Sequence, residues 1–406
     1  MISTVYIAKN VYGGDGLGRL GDGRVVFVPG AWAGENVRAE ILEEKRSFVK
    51  ARLVEVVDAS PDRIDGGAFA AVPGCVYAKL SERAERAAKE AQLKEFFERA
   101  RLLPPDSDKW QPAVAGASGG YRNKVVYHFA RQGGRWGIGY RTEPSHEIVE
   151  IEQDPLAVPA INAKLPEIRK AVLALLTTGP EPVRRDVERK GNVTIRWTAK
   201  TGVKWWVGEP PKGFVLKETT CGRDFEVPAD GFYQVNPEIG DRLVKAVVDE
   251  YETGTGYAAN LLDLYCGVGV FGLCCKAAGF GGSRESRLTG IESGRQAIEF
   301  AKRNAAAQRI DAKFFAEEVG RNLKQIHVGE HTTVIVDPPR GGMEPNVPAF
   351  LAVSKAPRIF YVSCDPATLT RDLKTICRGY EIESVRWFDM FPRTARFETL
   401  VVLRKK

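Results

Sequence analysis

Two successive strand-like runs end in groups capable of covalent chemistry. HTTVIVD (331–337) closes on Asp337-Pro338-Pro339-Arg340, and RIFYVSC (358–364) closes on Cys364-Asp365-Pro366. Prolines directly after a buried strand impose an extended, rigid backbone. They should fix a carboxylate and a thiol side by side at the carboxyl edge of a sheet, where α/β proteins bind ligands. A lone cysteine after a strand is more often a small buried residue. Asp337 next door and the proline-fixed turn favour a working thiol instead. A nucleophilic thiolate needs a lowered pKa, and the start of the following helix, which carries Thr368, Arg371 and Asp372, is expected to supply part of that lowering.

One chemistry that uses such a pair is substitution at an unreactive ring carbon: thiolate addition to the neighbouring carbon makes an enolate that can attack an electrophile, and a base must then remove the ring proton so that elimination frees the enzyme. Glu398 stands 34 residues beyond Cys364, behind Phe391-Pro392-Arg393-Thr394, and is a candidate base. From its sequence context alone it is an acid on an edge strand. NLLDLYC (260–266) runs into Gly267-Val268-Gly269, and Glu292 ends the next strand 23 residues after Gly269. The glycines permit a sharp turn and close approach of a ligand, and the glutamate can accept hydrogen bonds from ribose hydroxyls. Together they point to a nucleoside-containing cofactor without separating NAD from S-adenosylmethionine.

These residues need elements to hold them. The 406 residues suffice for two or three domains, and 44% hydrophobic with 27% charged residues is a soluble composition. The net charge of +7 permits a nucleic-acid partner without requiring one. Seven cysteines, none in a C-x-x-C pair, suit reduced thiols. No apolar run reaches the roughly 18–20 residues of a membrane span, and MISTVYIAKNVYGG lacks an apolar signal core, so a cytoplasmic, membrane-free protein is expected.

Residues 1–58 alternate apolar and polar at period two in VVFVPG, ENVRAEILEEK and SFVKARLVEVV, with Gly13–Arg19 as a glycine-rich turn cluster; this predicts a small OB-like barrel. Residues 81–103 predict a long helix capped by Ser81 and stopped by Pro104-Pro105. Residues 114–230 carry strand-like patterning. From about 231, strands at 260–266, 288–293, 312–316, 331–337 and 358–364 alternate with helices, predicting a parallel doubly wound sheet. Strands 381–388 and 398–404 have no helix between them and should close the sheet edge as an antiparallel hairpin.

LLDLYCGVGVFG, VIVDPPRGG, IFYVSCDPATLTRDL and FPRTARFETLVVL resemble, in order and spacing, the motif series of the uracil-5 RNA methyltransferases, which act on the T-loop uridine of tRNA or on 23S ribosomal RNA. GRDFEVPADGFYQVNPEIGDRL and YRNKVVYHF resemble the same family, and the N-terminal segment is similar to a TRAM domain, so the resemblance covers nearly the whole chain. It implies a multidomain fold: an OB-like TRAM barrel (1–58), a central α+β RNA-binding domain (59–230) and a C-terminal Rossmann-like methyltransferase domain (231–406). It places Cys364 on the family nucleophile and Glu398 on the proton-abstracting carboxylate. Gln234, Tyr265, Glu292 and Asp337 fall on contacts to S-adenosylmethionine, with Gly267 and Gly269 in the same turn, and Gln234 and Asp337 also approach the target base. Many ribosomal RNA members carry four cysteines for an iron–sulfur cluster. Here only Cys75 precedes the long helix and Asp154 stands at the fourth position, so no cluster is expected. Arg396 replaces a histidine usual two residues before the glutamate.

The RNA grip is expected in two stretches. Residues 121–141 hold five basic and five aromatic residues and no acid, with Arg122 and Lys124 as candidate substrate contacts; residues 184–206 hold seven basic residues with Trp197, Trp205 and Trp206 interleaved. Each could equally be an ordinary strand with a solvated face. The favoured reading is a monomeric enzyme that methylates C5 of an unpaired or flipped uridine, in 23S ribosomal RNA because of the TRAM segment, with the tRNA T-loop as the alternative. An RNA-binding protein with a vestigial catalytic domain would be expected to lack Cys364, Asp337 or Glu398. An NAD-linked oxidoreductase would not be expected to show the DPPR and SCDP strand ends.

Overall fold

The computed structural model describes residues 1–142, 145–254, 260–278, 287–321, 323 and 326–406. Five strands, β1 (Ile2–Asn10), β2 (Gly16–Arg19), β3 (Val25–Val28), β4 (Asn36–Glu44) and β5 (Phe48–Asp58), close a barrel in the order β1-β2-β3-β5-β4. The period-two residues Val5, Ile7, Val26, Val28, Val37 and Val49 fill it. Part of the glycine cluster read as a turn is strand: Gly16 and Gly18 lie in β2, where a Cβ would meet Ala31 O at 2.6 Å and Val5 Cγ1 at 2.4 Å. Only glycine lets β2 approach that closely.

Helix α1 (Glu82–Arg99) starts at Ser81, whose hydroxyl accepts from Ala84 N, and ends before the expected limit, with Arg101 in a left-handed turn. It wedges between barrel and C-terminal sheet. Lys9 of the barrel pairs with its Glu95, while Leu93 and Phe97 join the apolar cluster of the large sheet.

The central sheet contains β6 (Lys124–Gln132), β7 (Arg135–Arg141), β8 (Ile148–Glu150), β9 (Asn192–Thr198) and β10 (Gly202–Val207) in the order β10-β9-β6-β7-β8. Between β8 and β9 the chain forms α2 (Pro159–Thr177) and α3 (Glu181–Lys190), which strand-like patterning over 114–230 did not foresee. Pro159 and Pro166 disguise α2. The first sits in the opening turn, where no N–H is needed, and Ile161, Leu165, Ile168, Val172 and Leu176 recur at helical spacing to cover the sheet. A separate hairpin, β11 (Val215–Thr220) with β12 (Arg223–Pro228), precedes the expected boundary near 230 yet packs on the C-terminal helices described next.

Those elements are α4 (Pro237–Gly254), β13 (Asn260–Leu264), α5 (Val270–Ala278), β14 (Arg287–Glu292), α6 (Arg295–Ala307), β15 (Ala312–Ala316), β16 (Thr332–Val336), α7 (Asn346–Val353), β17 (Arg358–Ser363), α8 (Pro366–Ile376), β18 (Tyr380–Phe388) and β19 (Glu398–Lys405). The sheet order is β15-β14-β13-β16-β17-β19-β18, the first five strands parallel. Strand order reverses between β13 and β16, which opens a crevice at their carboxyl ends. A helix was expected between β15 and β16, but the described residues there form only a 3₁₀ turn at Val319–Arg321. A second correction matters more. β19 pairs with β17 as well as β18, so β18 is the edge and β19 is interior. No helix among the described residues is long and apolar enough to cross a membrane.

Candidate active site

A cleft of about 850 Å³ opens over the carboxyl ends of β13, β14, β16 and β17. On one side β13 turns into α5 through three left-handed residues, Tyr265 (φ 63°), Gly267 (φ 53°) and Gly269 (φ 87°). A tyrosine in that region is strained, a condition that concentrates at ligand sites. Its hydroxyl donates to Glu344. Gly272 N donates to Asp263 Oδ2 (2.9 Å), and burial drives the Asp263 carboxyl up to about 7, with Glu292 adding to the rise. At the end of β14, Glu292 Oε1 accepts from Gly294 N (2.7 Å) and turns its carboxylate along the cleft.

On the other side β16 and β17 deliver Asp337 and Cys364 as the prolines require. Asp337 N donates to Leu264 O, and burial together with the charges of Asp263 and Glu292 pushes its carboxyl up to about 7. The Cys364 thiol goes the opposite way to expectation. Burial, then Glu398 and Asp337, push it up to about 12, with Arg340 opposing. The start of α8 offers little to offset this, because Asp365 Oδ1 already accepts from Ala367 N and Thr368 N. Glu398 is no edge acid. It is 5% exposed at the start of interior β19, and its carboxyl is held well above the usual range by burial and Asp337, against the pull of Arg340.

Cys364, Glu398, Asp337, Gln234, Tyr265, Gly267 and Glu292 therefore line one cleft; Gly269 shapes its turn from behind. The helix-start position that sequence context suggests for Gln234 belongs to Asn236, which accepts from Ile239 N. Arg122 and Lys124 do not reach the cleft. The Arg122 backbone pairs with Leu156 and Val158, and its Nε is buried with no partner among the described residues; burial lowers the Lys124 ammonium. The aromatic stretches divide. Tyr121, Tyr127, Phe129 and Trp206 are core, whereas Trp205 remains exposed. Arg340, Glu344, Arg396 and Phe232 also line the cleft and were not singled out as site residues, although DPPR and GFYQ contain two of them. Phe232 is 75% exposed at its mouth.

Seven acidic side chains and two guanidiniums line the cleft, and even with the carboxyls of Glu218, Asp337 and Glu398 pushed up by burial the remaining acids outnumber the cations, a field that favours a cationic nucleoside over the pyrophosphate of NAD. Gln234 Oε1, on the cleft wall, is buried without a partner among the described residues, so an acceptor stands ready for a ligand's N–H or O–H group.

The family model of the tRNA (uracil-5-)-methyltransferases matches residues 219–406, and that of the TRAM domain matches residues 4–54. An uncharacterised RNA methyltransferase of Streptomyces avermitilis is 32% identical, with 98% of this chain and 97% of the relative covered. The 23S rRNA (uracil(1939)-C(5))-methyltransferase RlmD of Methylococcus capsulatus is 29% identical over 99% and 97% of the two chains. The crystal structure of Pyrococcus abyssi tRNA (uracil-54, C5)-methyltransferase, in complex with S-adenosyl-L-homocysteine, superposes with a TM-score of 0.74 over 98% of this chain and all of that one, at 23% identity.

Proposed function

The chain belongs to the TRAM-containing RNA (uracil-5-)-methyltransferase family, and from that premise we propose that it methylates C5 of one uridine in 23S ribosomal RNA through a covalent bond between Cys364 and C6. The observation that carries this reading is the convergence of Cys364, Asp337 and Glu398, from three different strands, on one cleft. S-adenosylmethionine, bound between Gln234, Tyr265, Glu292 and Asp337, would supply an electrophilic methyl group.

The residues perform the rest. A thiol near 12 is unreactive until its proton has an acceptor, and Asp337, poised near 7, can take it as sulfur bonds to C6. The C5 that has accepted methyl still carries hydrogen. Glu398 takes that proton, and the C6–S bond breaks to return the thiolate, which is then reprotonated. A carboxyl with a raised pKa is, once ionised, the stronger base for this removal. Arg340 faces both groups and offsets the charge that accumulates as each ionises.

RNA bearing 5-fluorouridine at the target tests the reading, because fluorine cannot leave as a proton and the enzyme should be trapped. A one-to-one covalent complex mapped to Cys364 is expected. Turnover without any adduct would overturn the covalent route. Mapping the 5-methyluridine missing from a deletion strain assigns the RNA: loss from tRNA rather than 23S ribosomal RNA would overturn that part.

A further inference from the structure

We infer that Tyr12, Arg396 and Asp365 form a positioning triad through which the N-terminal barrel holds the Cys364 loop against the start of β19 and keeps the Arg396 charge beside the thiol. Tyr12 lies in the turn between β1 and β2. Its ring packs edge-on against Phe96 of α1 (5.7 Å) and Phe397 (5.9 Å), and the Arg396 guanidinium stacks over it at 5.5 Å. Arg396 Nη1 donates to Tyr12 Oη (2.8 Å) and to Asp365 Oδ2 (3.2 Å), while the Tyr12 hydroxyl donates to the same carboxylate oxygen at 3.4 Å.

Position in the chain gives these bonds their meaning. Asp365 follows Cys364 directly, and Arg396 precedes Glu398 by two residues. The Asp365 carboxylate is fully engaged: Oδ1 caps α8, and Oδ2 receives the barrel and the segment leading into β19. One ion pair thus fixes the spacing between the two groups assigned to bond formation and proton removal, and a barrel tyrosine completes it. Arg396 also lines the cleft, where its charge opposes the carboxylates around the thiol. The groups facing Cys364 are Asp337 and Arg340 after β16, Glu398 and Arg396 around β19, Asp365 on its own loop and Tyr12 on the barrel. Arg340 and Arg396 are the two cations among them, and Arg396 is the one tethered outside the C-terminal sheet.

The inference gives the proposed nucleophile a support, and its test needs neither RNA nor cofactor, so it fails separately from the methylation reading. The full chain is treated with iodoacetamide at pH 8.5 and alkylation of Cys364 is followed by peptide mass mapping. Arg396→Ala should slow alkylation about threefold, since a rise of about one unit in the thiol's pKa costs about tenfold in thiolate and returns part of that in nucleophilicity, and Tyr12→Phe should slow it about twofold. Arg396→Lys should recover most of the rate. The double variant should be no slower than Arg396→Ala alone, because Tyr12 acts through Arg396. A purely structural clamp predicts the reverse, since a slackened loop would expose the thiol and be alkylated faster. Faster or unchanged alkylation in Arg396→Ala, or a Tyr12→Phe effect that multiplies in the double variant, would overturn the inference. Tyr12→Phe keeps the ring contacts and decides the matter should Arg396→Ala fail to fold.

Discussion

Asp154 in the central domain and Glu398 in the C-terminal sheet are both buried carboxylates, 0% and 5% exposed, with opposite surroundings. Asp154 Oδ2 accepts from the hydroxyls of Tyr127 (2.8 Å) and Tyr140 (2.6 Å), and Oδ1 accepts from Leu156 N (2.9 Å). Its hydrogen bonds join β6, β7 and the segment leading to α2. Glu398 faces Asp337, a like charge, with Arg340 as the opposing cation. Burial with donors makes a carboxylate a structural tie. Burial beside another acid makes one whose proton is available for work. The thiols of Cys75 and Cys364 are both pushed up to about 12 by burial and nearby carboxylates, and access separates them: Cys75 is buried near Asp154, whereas Cys364 is half-buried and lines the cleft.

Four substitutions or treatments would break or sharpen that contrast. The largest effect is expected from Cys364→Ala: methyl transfer should fall by about 10⁴-fold or more, while calorimetry shows cofactor binding retained. Wild-type turnover would sink the covalent route. Glu398→Gln keeps size and loses basicity, so the rate should fall about 10²–10⁴-fold. Addition and methylation should survive, and a methylated covalent protein–RNA complex should accumulate with ordinary RNA. Denaturing gels with radiolabelled cofactor would show it as a slow labelled band; a slow enzyme without that band means the base is another group.

Asp154→Ala tests the other half. It leaves two tyrosine hydroxyls and an amide without their acceptor and should cost about 3 kcal/mol in chemical denaturation, with single-turnover methylation of saturating RNA close to wild type. Lost chemistry at unchanged stability would put Asp154 with the working carboxylates. The smallest effect is expected from iron chelation. Only Cys75 remains of the cluster cysteines, and Asp154 is committed to its tyrosines. Anaerobically purified protein should contain no stoichiometric iron or sulfide, and chelation should leave its thermal midpoint unmoved.

What the sequence determined by itself is what local pattern controls. Period-two alternation specified the barrel strands, and strand–proline junctions placed Asp337 and Cys364 at one sheet edge, because proline acts on its own residue and its neighbour. Where local signals conflicted, reading failed: prolines and interleaved basic residues hid α2 and α3. Charge and burial were decided by the tertiary structure alone. A helix start promised Cys364 a lowered pKa, yet burial first, then two carboxylates from other strands and the Asp365 cap, reverse the balance. Pairing of β19 with β17 moved Glu398 from an edge to the interior. The triad that steadies the thiol joins Tyr12 to Asp365, 353 positions away. Hydrogen-bond patterning and backbone propensity are written between near neighbours. Desolvation and Coulomb forces depend on distance in space, which only the completed fold supplies.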